Sequence, residues 1–149
     1  MEFAEKLSAL AAKVRQQRGV IQTEEATKNA FVMPFISTIL GYDVFNPLEV
    51  VPEFIADVGL KKGEKIDYAI VKDGEVQILI ECKKSSEPVK IEHASQLFRY
   101  FAVTNARIAI RALVTAKYRK SCDACSILTG SLDFLHSIRI WTSPSFTIA

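Results

Sequence analysis

A mixed α/β domain, with a central mixed sheet flanked by helices in the order ααβββαβ, is what this sequence predicts. Three observations carry the prediction. Two stretches with helical apolar spacing open the chain, and three strand-like runs follow them. A further helical stretch then separates the third strand-like run from a fourth. The 149 residues suffice for one domain with a real hydrophobic core.

The first helix spans residues 2–18. Phe3, Leu7, Leu10, Ala11 and Val14 form one apolar stripe, and the late Lys and Arg side chains suit the negative end of the helix dipole. Gly19 is its expected stop. The second helix begins at Thr23, an N-capping residue followed by two glutamates in the first turn. Its buried side is Phe31, Phe35, Ile36, Ile39 and Leu40; Pro34 should bend or break it, and Gly41 should end it. Residues 49–59, "EVVPEFIADVG", read as an extended segment whose proline makes it edge-like or bulged. "KIDYAIV", the turn "KDG" and "EVQILIECK" make a hairpin. "KIEHASQLFRYFAVT" (90–104) is a helix with Ile91, Ala94, Leu97 or Phe98, and Phe101 on its apolar side. "RIAIRALVT" (107–115) is a strand. In the weakly patterned remainder, "SIRIWTS" reads as a final strand.

Composition narrows the function classes. Apolar residues make up 49% and charged residues 24%, which describes a globular chain rather than a disordered one. No apolar run approaches the roughly 18 residues needed to cross a bilayer. The N-terminus lacks a signal-peptide layout, because charges interrupt its apolar runs. The expectation is a soluble cytoplasmic protein without membrane association. A net charge of +2 gives no overall basic signature, although Lys and Arg cluster at 61–65, 83–84 and 117–120. Three cysteines do not make a disulfide framework. Cys82 sits in an apolar strand as a small core residue. Cys122 and Cys125 have ligand spacing, but no second pair completes a zinc site.

The chemistry concentrates in the hairpin, residues 65–84. Glu81 and Lys83 lie two apart on one strand and share a face. Asp67 joins them or not according to the turn. A two-residue Asp73-Gly74 loop pairs Lys72 with Glu75 and sets Asp67 against Ile80, on the other face. A three-residue Lys72-Asp73-Gly74 loop pairs Val71 with Glu75 and sets Asp67 against Leu79, diagonal to Glu81. The constellation needs the longer loop, and the sequence permits it. Two carboxylates and an ammonium suit phosphodiester hydrolysis: the acids bind a hard cation, Mg²⁺ or Mn²⁺, and the lysine stabilises developing charge. Ala69, Val71 and Leu79 share the acids' face, which a merely solvated hairpin face does not explain.

An Asp followed by Glu-x-Lys across a hairpin, then a helix, resembles the PD-(D/E)xK nuclease superfamily, with its restriction-endonuclease-like fold. "TEEATKNAFVMPFISTILGYDVFNP", "KGEKIDYAIVKDGEVQILIECKK" and "HASQLFRYFAVTNARIAI", in that order, resemble the N-terminal nuclease domain of type I restriction enzyme R subunits. They also resemble its small stand-alone, often prophage-associated relatives. The resemblance covers about residues 20–110. It implies Glu24, Asp67 and Glu81 as metal ligands, with Glu25 a rival for Glu24, and Lys83 as the catalytic lysine. It also implies Gln96 and Tyr100, from the Q-x-x-x-Y motif, as catalytic residues acting together one helical turn apart. It implies a Mg²⁺- or Mn²⁺-dependent endonuclease acting on DNA, with other restriction subunits or a second copy as partners. The chain departs from the family at Ile66-Asp67, where Pro-Asp is usual, and in the tail. Accordingly the expected division is an N-terminal helix (1–19), a nuclease core (20–113) and a tail (114–149) that is divergent or frame-shifted.

Overall fold

The computed structural model describes residues 2–55, 64–83, 95–113 and 138–142. They form three helical segments and a five-stranded mixed sheet in the order β1-β2-β3-β4-β5. Helix α1 (Phe3–Gln17) buries Leu7, Leu10, Ala11 and Val14, as its stripe predicts. Phe3 is the exception: at the frayed first turn it is 64% exposed.

Helix α2 (Glu24–Thr27) starts where expected, with the Ala26 N–H donating to Thr23 Oγ1 at 3.1 Å. It then continues as two π-helical turns, Lys28–Val32 and Phe35–Leu40. Pro34 therefore does not break the helix. Proline has no N–H for the i→i−4 ladder, and its ring crowds the preceding turn. Widened π-helical turns on either side accommodate it. Gly41 ends the helix with φ +80°, a conformation that favours glycine.

Strand β1 (Val50–Phe54) forms one edge of the sheet, as its proline requires, and Glu53 at φ 49° distorts it. Strands β2 (Ile66–Lys72) and β3 (Glu75–Lys83) form the antiparallel hairpin. Helix α3 (Ser95–Val103) then carries the chain across to β4 (Ile108–Leu113), which pairs parallel to β3. Strand β5 (Ile138–Thr142) closes the other edge, antiparallel to β4.

Two apolar layers sandwich the sheet. Tyr68, Ile70, Ile78, Ile80, Cys82 and Ile110 face α1 and the α2 segment, packing on Leu10, Val14, Phe31 and Ile36. Ala69, Leu79 and Ala109 face α3, packing on its Leu97 and Tyr100. Each fully buried Ile, Leu or Phe contributes about 1.5–3 kcal/mol through burial. On α3, Leu97 is buried and Phe98 is 39% exposed, which settles the choice between them. Ile91, Ala94, Cys122, Cys125 and the basic cluster at 117–120 lie outside the described residues. So does most of the 61–65 cluster and of the tail. No helix among the described residues is long and apolar enough to cross a membrane.

The hairpin takes the two-residue alternative and corrects where that alternative put Asp67. The loop is the two-residue Asp73-Gly74 turn, with φ 56° and 78°, and Lys72 pairs with Glu75. The register then shifts between Val71 and Ile70: Val71 pairs with Val76, but Ile70 pairs with Ile78. Gln77 is thus an extra residue on β3, a β-bulge. Below the bulge Tyr68 pairs with Ile80, so Asp67 comes level with Glu81 rather than with Ile80 or Leu79. The longer loop is not needed, because the bulge supplies the missing step.

Candidate active site

Asp67 stands at the start of β2, where face alternation breaks. Ile66 packs into the α3 layer, whereas the Asp67 carboxylate reaches Lys28 on the opposite layer. Its two oxygens are separately engaged. Oδ1 contacts Lys28 Nζ at 2.6 Å, and Oδ2 accepts the Cys82 backbone N–H at 2.6 Å. The second bond bridges the end of the β2–β3 ladder, one residue beyond the last paired step, and ties the Asp67 side chain to the Glu81–Cys82 peptide.

Glu81 is buried, with only 3% of its side chain exposed. Its Oε1 meets Lys83 Nζ at 3.0 Å, and its Oε2 has no hydrogen-bond partner among the described residues. Arg111 is its cross-strand neighbour on β4 and is also buried. Glu24 opens α2 with its side chain about one-third exposed, 4.0 Å from Lys28 Nζ, and its charge is felt at Lys83. The more exposed Glu25 lies 3.8 Å from the same ammonium.

The electrostatics run in one direction. Burial pushes the Glu81 carboxyl above the usual glutamate range, further than Lys83 and Arg111 pull it down. Burial lowers the affinity of Lys83 for its proton, but the charge and hydrogen bond of Glu81, helped by Glu24 and Asp67, outweigh it and hold Lys83 above lysine's usual value. Both groups therefore favour the protonated form. The two shifts differ in cause: burial drives the rise at Glu81, and neighbouring carboxylates drive the rise at Lys83. The Cys82 thiol, pushed up to about 12 chiefly by burial, is no nucleophile at neutral pH.

Gln96 and Tyr100 lie on one face of α3, as the motif spacing requires. Gln96 Nε2 donates to the Lys65 carbonyl and the Tyr100 hydroxyl to the Glu64 carbonyl, both at 2.6 Å. These bonds hold the backbone just ahead of Asp67. Tyr100 is 1% exposed and is not a helix-edge side chain. Arg99 pairs with the Glu64 carboxylate, so three α3 side chains grip two consecutive residues.

The geometry thus gathers Asp67, Glu81 and Lys83 at one end of the hairpin, with Glu24 beside them. Among the described residues no three acidic, histidine or cysteine side chains stand close enough to hold a metal ion. A lysine, not a third acid, sits on Asp67. Lys28, against Asp67, and Arg111, beside Glu81, are the charged neighbours of the site that sequence reasoning missed. Arg111 carried the same signal as Asp67 and Glu81, a charge set inside an apolar strand run. Lys28 carried none, since a lysine in the first turns of a helix is ordinary.

Comparison with family models, curated proteins and solved structures finds no match to this chain.

The Glu81 proton has a measurable consequence. Its affinity is higher in the folded than in the unfolded chain, so stability falls as pH rises from glutamate's ordinary value near 4.5 through the raised folded value. Chemical denaturation across pH 4–8 should show that fall in the wild type and its loss in Glu81→Gln. A pH dependence unaltered by the substitution would assign the fall to another group.

Proposed function

We propose that the chain is a metal-dependent endodeoxyribonuclease of the PD-(D/E)xK type, with a restriction-endonuclease-like core akin to the type I R-subunit nuclease domain. The observation that carries the reading is the hairpin end. There Asp67 lies level with Glu81, Lys83 is salt-bridged to Glu81, and one buried Glu81 oxygen has no partner among the described residues. An orphaned buried carboxylate oxygen is costly unless something binds it. Carboxylate oxygens are hard donors of the kind that Mg²⁺ and Mn²⁺ take.

Such an ion, when bound, polarises the phosphate and lowers the pKa of its water. Asp67 and Glu81 would hold it, and Glu24 would contribute from α2. Lys83 stays cationic and offers its ammonium to charge developing on the phosphate oxygens. The Cys82 N–H fixes the rotamer of Asp67, while Gln96 and Tyr100 are positioning residues that fix its backbone. The partners on this reading are DNA, further restriction-system subunits and a second copy of the chain, since one site per chain cuts one strand; the setting is the cytoplasm.

The test is incubation of the purified chain with supercoiled plasmid and with single-stranded DNA, in Mg²⁺, Mn²⁺ or EDTA. Cleavage that requires the metal supports the reading. DNA binding without cutting favours a second one, a non-catalytic nucleic-acid-binding or regulatory module that keeps the fold. The Lys28 ammonium on Asp67 favours that alternative, because an internal cation already serves the acid.

Glu24→Ala should weaken Mn²⁺ binding by about 10–100-fold, the scale for losing one supporting carboxylate. Calorimetric titration of Mn²⁺ into the variant checks this, and an affinity equal to wild type would remove Glu24 from the site.

A further inference from the structure

Resting on the metal-site reading above, we infer that Lys28 is the built-in competitor of the divalent cation at Asp67. The cation reaches the Asp67 carboxylate by displacing the Lys28 ammonium, which passes to Glu25. Three facts place Lys28 in that role. Both Asp67 oxygens are engaged, and only one partner can leave cheaply. The Cys82 N–H is part of the sheet backbone, whereas Lys28 Nζ ends a flexible side chain. The ammonium already has its alternative partner at hand, with a Glu25 oxygen 3.8 Å away. Finally, Lys28 and Asp67 are only 17% and 14% exposed, so the contact is partly desolvated and is not a solvent-screened surface pair.

The exchange balances charge. The ammonium neutralises one carboxylate, and a second, the buried Glu81, already meets Lys83. An entering divalent ion brings two positive charges to Asp67 and the Glu81 oxygen that no described residue partners, and frees one ammonium for Glu25. Lys28 thereby holds the two sides of the site together before metal arrives, and sets a threshold on the metal concentration needed to fill it. Loss of Lys28 should tighten metal binding, whereas loss of a supporting ligand would weaken it.

Calorimetric titration of Mn²⁺ into wild type, Lys28→Met, Lys28→Gln and the Lys28→Met/Asp67→Ala double variant tests this without reference to turnover. The expected result is Mn²⁺ binding about tenfold tighter in both single variants, the scale of one ion pair no longer broken on binding, and none of that gain in the double variant. Unchanged or weaker Mn²⁺ binding in Lys28→Met and Lys28→Gln, with metal-dependent cleavage intact, overturns the inference and leaves the nuclease reading standing. Absence of Mn²⁺ binding in all four proteins, with absence of plasmid cleavage, overturns both.

Discussion

Asp67→Ala and Glu81→Ala are expected to lose metal-dependent DNA cleavage by at least about 1,000-fold, and Lys83→Ala by about 100- to 1,000-fold, with the fold retained in each. The two acids are the oxygen donors of the hairpin end, and losing a ligand forfeits several kcal/mol of charge stabilisation; roughly 4 kcal/mol is 1,000-fold in rate. Lys83 supplies one charged donor, whose loss costs at the scale of a single oxyanion-stabilising group. The fold should survive because Asp67 and Lys83 lie outside both apolar clusters. Glu81 is buried against Lys83 and Arg111, so Glu81→Gln, which keeps the side chain's shape and polarity, is the companion variant should Glu81→Ala leave those cations uncompensated. Circular dichroism and thermal melts run beside the plasmid assay separate chemistry from folding. A folded variant that cuts at the wild-type rate would strip that residue of its role. A Lys83→Arg variant adds a control, since arginine keeps the charge but not the compact ammonium at 3.0 Å from Glu81.

How far the sequence spoke for the fold depends on whether each feature was written locally. Thr23 and Gly41 marked their helix ends correctly because capping and positive φ are settled by a few neighbouring residues. Leu7, Leu10, Ala11 and Val14 were legible because one stripe meets one layer. The bulge at Gln77 was not legible. Its carbonyl accepts the Arg107 N–H at 2.9 Å, so the extra residue on β3 is used by the chain entering β4, about thirty residues further on. No turn preference at Asp73-Gly74 carries that information, yet it decides whether Asp67 stands beside Glu81. Likewise the Lys28–Asp67 contact joins residues thirty-nine apart in the chain, which no local pattern around Lys28 announces. Glu81 and Lys83 were the readable part of the site, since period two alone puts them on one face.

Tyr100→Ala is expected to destabilise the fold by about 3–5 kcal/mol, the range for truncating a fully buried large aromatic. Three losses combine in it. The ring is 1% exposed among Leu97, Leu79 and Ala109, so its removal opens a cavity in the α3 layer. It also packs edge-on to Phe54 of the edge strand, with ring centroids 6.5 Å apart, so β1 loses a contact. Its hydroxyl donates to the Glu64 carbonyl at 2.6 Å, and that acceptor would be left without it. Tyr100→Phe isolates the last of these, and should cost only about 1–3 kcal/mol. Urea denaturation of the two variants measures both. Cleavage then distinguishes a brace from a reacting group. If Tyr100 and Gln96 act by holding residues 64 and 65 in line ahead of Asp67, Tyr100→Phe should leave the pH profile of cleavage unmoved and lower the rate modestly. Adding Gln96→Ala should then deepen the loss and weaken Mn²⁺ binding, because Asp67 is free to drift. If Tyr100→Phe alone shifts the pH profile or cuts the rate by the factor expected for Lys83→Ala, the hydroxyl takes part in the chemistry, and α3 is part of the catalytic machinery rather than the clamp that aims it.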